Sequence, residues 1–204
     1  MATFTESDIR YVIAEYRTLA ELCEGRGESL AAVRVLISGG LLPEPTYVLP
    51  SGEGRFPPDY FALADEAGGA TALPARFRAR YLAAAAASPT AAADADEDWA
   101  GYLSGQFGVC LRSVTPEAMV EKNRLIRRIE ALTAAPADAD PTWRAALRGA
   151  VAALDSLERP FTDFDRQRWG DTSRGRHVDR VRERYPDAFA EGAQGREPVG
   201  GATS

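Results

Sequence analysis

The sequence predicts a mainly α fold: an N-terminal winged helix-turn-helix with a small β-hairpin wing, packed on a C-terminal helical bundle. Three observations lead there. Cap-and-stop signals recur from Thr5 to Gly40. Strand propensity in the N-terminal part concentrates in one short stretch, Thr46-Tyr47-Val48-Leu49. Apolar residues return at helical spacing between 115 and 157.

Each element follows from a local signal. Thr5 caps a first helix, with Asp8 at the capping-box position. Thr18 and Glu21 repeat that pattern for a second helix, which ends near Gly25-Arg26-Gly27. Ser29 caps a third, Leu30 to Ser38, stopped by Gly39-Gly40. Thr46 to Leu49 is a strand, Ser51-Gly52-Glu53-Gly54 a turn, and Arg55-Phe56 a return strand that Pro57-Pro58 ends. Asp59 caps a helix from Tyr60 to about Glu66. After Gly68-Gly69, an alanine-rich helix spans Pro74 to Ala87, and Ser88 to Ala95 reads as a loop. A helix from Trp99 to about Cys110 is weakened by Gly101, Gly105 and Gly108. Thr115-Pro116-Glu117 starts a helix to Leu132, and another runs from Trp143 to Leu157. Pro160 to Gly170 reads as irregular, and Ser173 caps a last helix reaching Tyr185-Pro186. The implied division is a winged module over 1–67, a helical domain over 72–190 and a disordered tail over 191–204.

Composition narrows the setting. Of 204 residues, 45% are hydrophobic and 26% charged, which is ordinary globular usage. There is no apolar run of membrane-spanning length, and the N-terminus lacks the basic and apolar regions of a signal peptide. Cys23 and Cys110 are too few and too distant for a disulfide framework, so a cytoplasmic location is expected. Of 24 basic residues only Lys122 is a lysine, which, with the abundant alanine, reads as the imprint of a GC-rich genome.

Residues 18–60 resemble the MerR-like winged helix, in Thr18-Leu19-Ala20-Glu21-Leu22, Ser29 to Ile37 and Gly40-Leu41-Leu42-Pro43. That resemblance implies a third helix placed for the major groove and a wing on the backbone. The residues oppose it. Residues 1–60 hold five arginines and nine acids, a net of −4, and the third helix offers only Arg34 for reading bases. Nucleic acid is therefore not the expected partner.

Candidate chemistry lies in the C-terminal half. His177 is the only histidine and the candidate general base. Between Arg159 and Arg184 stand eight arginines and five acids, a net of +3 in a chain of net −6. Arg166, Arg174 and Arg176, with Ser173, Tyr102 and Trp169, are the candidate binding set for an anion. Ion pairing with Asp163, Asp165 and Asp171 is the alternative for those arginines. Cys110 reads as a buried thiol unless a base lies beside it. One histidine and two scattered cysteines make no zinc-type cluster, and neither a dinucleotide fingerprint nor a P-loop occurs, so no metal or cofactor is expected.

Several C-terminal segments resemble an uncharacterised actinobacterial family of natural-product biosynthesis proteins. They are Gly105-Gln106-Phe107-Gly108-Val109-Cys110-Leu111-Arg112, Thr115-Pro116-Glu117, Pro160-Phe161, Phe164-Asp165-Arg166, Trp169-Gly170, Ser173-Arg174 and Tyr185-Pro186. The resemblance implies a role in specialised metabolism and carries no reaction with it. Three roles stand open: a protein, enzyme or accessory, holding an anionic intermediate in a pocket between the two modules; a DNA-binding regulator of a biosynthetic cluster; and a non-catalytic partner subunit of a biosynthetic enzyme.

Overall fold

A computed structural model describes residues 2–86 and 88–190. The segment expected to be a disordered tail lies outside the described residues. The protein is mainly helical: among the described residues there are twelve α-helices, one π-helical turn and one two-strand hairpin. No helix of the described residues is long and apolar enough to cross a membrane.

The N-terminal elements are α1 (Glu6–Glu15), α2 (Leu19–Cys23), α3 (Leu30–Ser38), β1 (Tyr47–Val48), β2 (Gly54–Arg55) and α4 (Ala62–Ala67). Reciprocal capping boxes start two of them. Thr5 Oγ1 accepts the Asp8 N–H at 3.2 Å while Asp8 accepts the Thr5 N–H at 2.8 Å. Thr18 and Glu21 do the same for α2. The strands pair antiparallel, Tyr47 opposite Arg55 and Val48 opposite Gly54.

The remaining helices are α5 (Leu73–Ala84), α6 (Ala91–Leu103), α7 (Phe107–Cys110), α8 (Pro116–Ala134), α9 (Pro141–Leu157), α10 (Asp163–Trp169), α11 (Arg180–Arg184) and α12 (Pro186–Phe189), with a π-helical turn at Gly175–Asp179. Four expectations are corrected. The segment read as a loop from Ser88 to Ala95 is helical from Ala91, because three consecutive alanines carry high helix propensity. The helix expected to run to Cys110 breaks after Leu103, where Gly105 takes φ +74°, and resumes as α7. The segment read as irregular contains α10, opened by a Thr162–Asp165 capping box. The last helix is not a single α-helix: the π turn interrupts it at Gly175.

Gly108 is where α7 meets the hairpin. A Cβ there would collide with Thr46 Oγ1 and lie 2.9 Å from Pro57 Cγ. The bare backbone instead lets Tyr16 Oη donate to Gly108 O at 2.8 Å, which ties α7 to the end of α1.

Buried apolar residues form two clusters. The first draws on Val12, Tyr16, Tyr47, Phe77, Leu111 and Met119, among others. The second comprises Leu125, Ile129, Trp143, Leu147, Leu154, Val178, Val181 and Tyr185 with their neighbours. Helix α8 contributes to both. Lys122 sits on its buried side, between Met119 of one cluster and Leu125 of the other.

Candidate functional site

At that seam the chain buries a cationic and an anionic side chain. Glu158 follows the last residue of α9 and has no exposed surface. An isolated bridge between Leu111 and Glu158 fixes its position. Within it the Arg159 N–H donates to Cys110 O at 2.9 Å and the Arg112 N–H to Leu157 O at 3.1 Å. The bridge therefore sets Cys110 and Glu158 side by side although 48 residues separate them in sequence. Lys122, nine-tenths buried, reaches Glu158 Oε1 with its Nζ at 3.0 Å. Ser173 Oγ donates to the same oxygen at 2.5 Å. The Cys110 thiol donates to Phe107 O at 3.6 Å.

Charge and burial act against each other here. Burial pushes the Cys110 thiol up, more than the nearby Lys122 draws it down, so the thiol stays protonated. Burial pulls the Lys122 ammonium down, but the Glu158 carboxylate beside it opposes that, and it ends above the ordinary lysine range. Glu158 Oε1 takes two donors, while Oε2 is buried and has no hydrogen-bond partner. Six other buried side-chain polar atoms among the described residues, Asp165 Oδ1 included, are likewise without a protein partner.

Lys122, Ser173 and Cys110 line a cavity of about 260 Å³. Phe107, Val109, Phe161 and Trp169 give it an apolar wall, and Gln106, Asp171 and Thr172 stand around it. Trp169, 45% exposed, flanks it with its ring under the Arg168 guanidinium at 4.8 Å. Apolar walls with a few convergent polar groups are the usual make-up of a small-molecule site.

Of the residues expected to form a site, the structure brings Ser173 and Trp169 together and separates the others; Cys110, expected only as a buried thiol, lines the same cavity. His177 is buried on the π turn, its Nδ1 3.1 Å from Ser173 O and its Nε2 3.1 Å from Glu130 Oε1. Both ring nitrogens are thus taken up by neighbours, and His177 does not line the cavity. Arg174 pairs with Asp155, which also holds Arg182 at 2.8 Å. Arg166 pairs with Asp163 at 2.9 Å, and Arg176 reaches Asp171 at 4.0 Å. None of these three guanidiniums lines the cavity. Tyr102 is packed against Phe77 and Trp99 and borders a separate small pocket with Tyr60 and Asp59. Lys122 and Glu158 were not among the candidates. The available signal was Lys122 itself, the sole lysine in a chain that otherwise uses arginine. Among the described residues no group of three or more His, Cys, Asp or Glu is placed to hold a metal ion.

In comparison with known proteins, residues 73–186 match the model of a family of unknown function, DUF6058. No curated protein and no solved structure matches. The matched stretch contains every residue of the cavity and both members of its buried ion pair.

Proposed function

The chain belongs to this family of unknown function, and on that premise we propose that it binds a small intermediate of specialised metabolism in the cavity between α7, α8, α10 and the turn before Ser173. The ligand has an apolar, ring-sized body and an oxygen-acceptor head, a carboxylate or a carbonyl. The body lies against Phe107, Phe161 and Trp169, and the head meets the Lys122 ammonium. The observation that carries this reading is the placement of the lone lysine: nine-tenths buried, held by Glu158, and lining an open cleft. The metabolic setting rests on the resemblance of the Gly105–Arg112, Trp169-Gly170 and Ser173-Arg174 segments to biosynthesis proteins.

The same reading takes α2, α3 and the β1–β2 hairpin as a MerR-like winged helix-turn-helix that no longer serves DNA. Around the groove between α3 and the hairpin, Arg34 is outnumbered by Glu44 and Glu53, and Val35 is 68% exposed on α3. Phosphate recognition needs the opposite balance.

The test is retention of metabolites. Purified protein is mixed with a small-molecule extract of the organism that carries the gene, desalted and denatured, and released compounds are identified by mass. The wild type retains a compound that Lys122→Met, folded by circular dichroism, loses by at least tenfold. Equal retention by the two proteins overturns the reading.

A further inference from the structure

Arginine fills every basic position but one, and the exception is the position where only a primary amine has distinct covalent chemistry. From Lys122 and Ser173, which line the cavity, and the buried Glu158 that both of them contact, we propose that Lys122 forms an imine with the carbonyl group of an aldehyde or ketone ligand. The proposal rests on the binding reading above and narrows its ligand class to carbonyl compounds.

The step balances within the groups present. Lys122 enters as the ammonium and passes one proton to Glu158, whose Oε2 has no other donor. The free amine attacks the carbonyl carbon, forming the C–N bond and a carbinolamine. Ser173 Oγ, which lines the cavity and is hydrogen-bonded to Glu158 Oε1, relays the proton from Glu158 to the carbinolamine hydroxyl, the C–O bond breaks and water leaves. The sum is carbonyl plus ammonium giving iminium plus water, with no oxidant or reductant consumed. Ser173 Oγ, hydrogen-bonded to Glu158 Oε1, orients the carboxylate for both transfers. An arginine at position 122 keeps the ion pair and loses this chemistry, which accounts for a lysine here and at no other position.

The chain's composition makes the experiment clean, because its only primary amines are Lys122 and the α-amino group. The whole protein is incubated with 4-hydroxybenzaldehyde and sodium cyanoborohydride, and the reduced adduct is located by peptide mass. Binding of 4-hydroxybenzoate, which offers the same ring and no aldehyde, is measured separately by calorimetry. Lys122 is expected to label, with 4-hydroxybenzoate slowing that labelling at least tenfold and leaving labelling of the α-amino group unchanged. Glu158→Gln lowers the Lys122 rate at least tenfold. No labelling of Lys122, with 4-hydroxybenzoate still bound, overturns the imine and leaves the binding reading standing. Absence of both labelling and binding overturns the two together.

Discussion

The Arg159–Arg184 run and the single lysine at 122 use positive charge in opposite ways. The run carries the larger net charge, yet its members spend that charge on neighbours: Arg166 on Asp163, Arg174 and Arg182 on Asp155, Arg180 on Asp171. Most of these pairs are open to solvent, where an ion pair contributes about 0–1 kcal/mol. Lys122 and Glu158 are removed from water, where each ion costs several kcal/mol to desolvate and the pair regains it only through close contact. Charge density along the chain is thus a poor guide to a site. The group placed at an energetic disadvantage, against a cavity, is the informative one.

The largest effect expected from breaking this contrast is that of Glu158→Ala. It leaves a buried ammonium without its carboxylate and destabilises the fold by about 3–5 kcal/mol in urea titration. A loss under about 1 kcal/mol would mean that water reaches the pair. Replacing both partners, as Lys122→Met with Glu158→Leu, recovers most of that loss, since two apolar groups leave no charge unpaired. Metabolite retention stays abolished in that double variant, which separates the pair's functional role from any structural one.

Alkaline pH sharpens the comparison next. Both Cys110 and Lys122 are held above their ordinary values, 9.0 and 10.5. Groups raised in the folded state contribute stability that is complete below those values and lost as pH climbs through the folded ones. The unfolding midpoint is therefore expected to fall from about pH 9 upward, and to fall less steeply in the double variant. Arginine variants complete the series. Arg174→Ala, which releases a partly buried partner of Asp155, costs about 1 kcal/mol, and Arg166→Ala stays within about 0.5 kcal/mol. Neither is expected to alter binding of 4-hydroxybenzoate.

Single-residue signals were readable at several helix starts but not at all of them: Asp59, read as a cap, accepts the Val114 N–H instead, and Thr172 rather than Ser173 accepts the Gly175 N–H at the last helix. Thr5, Thr18 and Thr115 were legible as caps because capping depends on spacing of three or less. Thr162 and Asp165 offer the same spacing, but the polar, proline-led segment around them masked it. The site was half legible. Ser173 and Trp169 stand out in the sequence, Ser173 through its hydroxyl beside an expected helix start, while Cys110 reads only as a buried thiol. Lys122 was passed over as a mark of codon bias, and Glu158 lay at the end of an amphipathic helix with nothing to distinguish it. The contact between them depends on a two-residue bridge joining 111 to 158, and no local pattern announces such a pairing. The arginines misled for a related reason: their aspartates lie mostly within three to nine residues, but Arg174 and Arg182 find Asp155 across two helices.

The π turn at Gly175–Asp179 amounts to one residue inserted into what is otherwise an α-helical path. Deleting an exposed member such as Arg176 would let the helix close normally and rotate everything after it by about 100° relative to Ser173. Val178, Val181 and Tyr185 would then face away from α8 and α9, or else Ser173 would swing off Glu158. A relative whose chain is one residue shorter at this point is accordingly expected to keep its apolar packing or its serine-to-glutamate link, and not both. Length variation in this five-residue stretch across the family is a direct gauge of which members keep the serine-to-glutamate link.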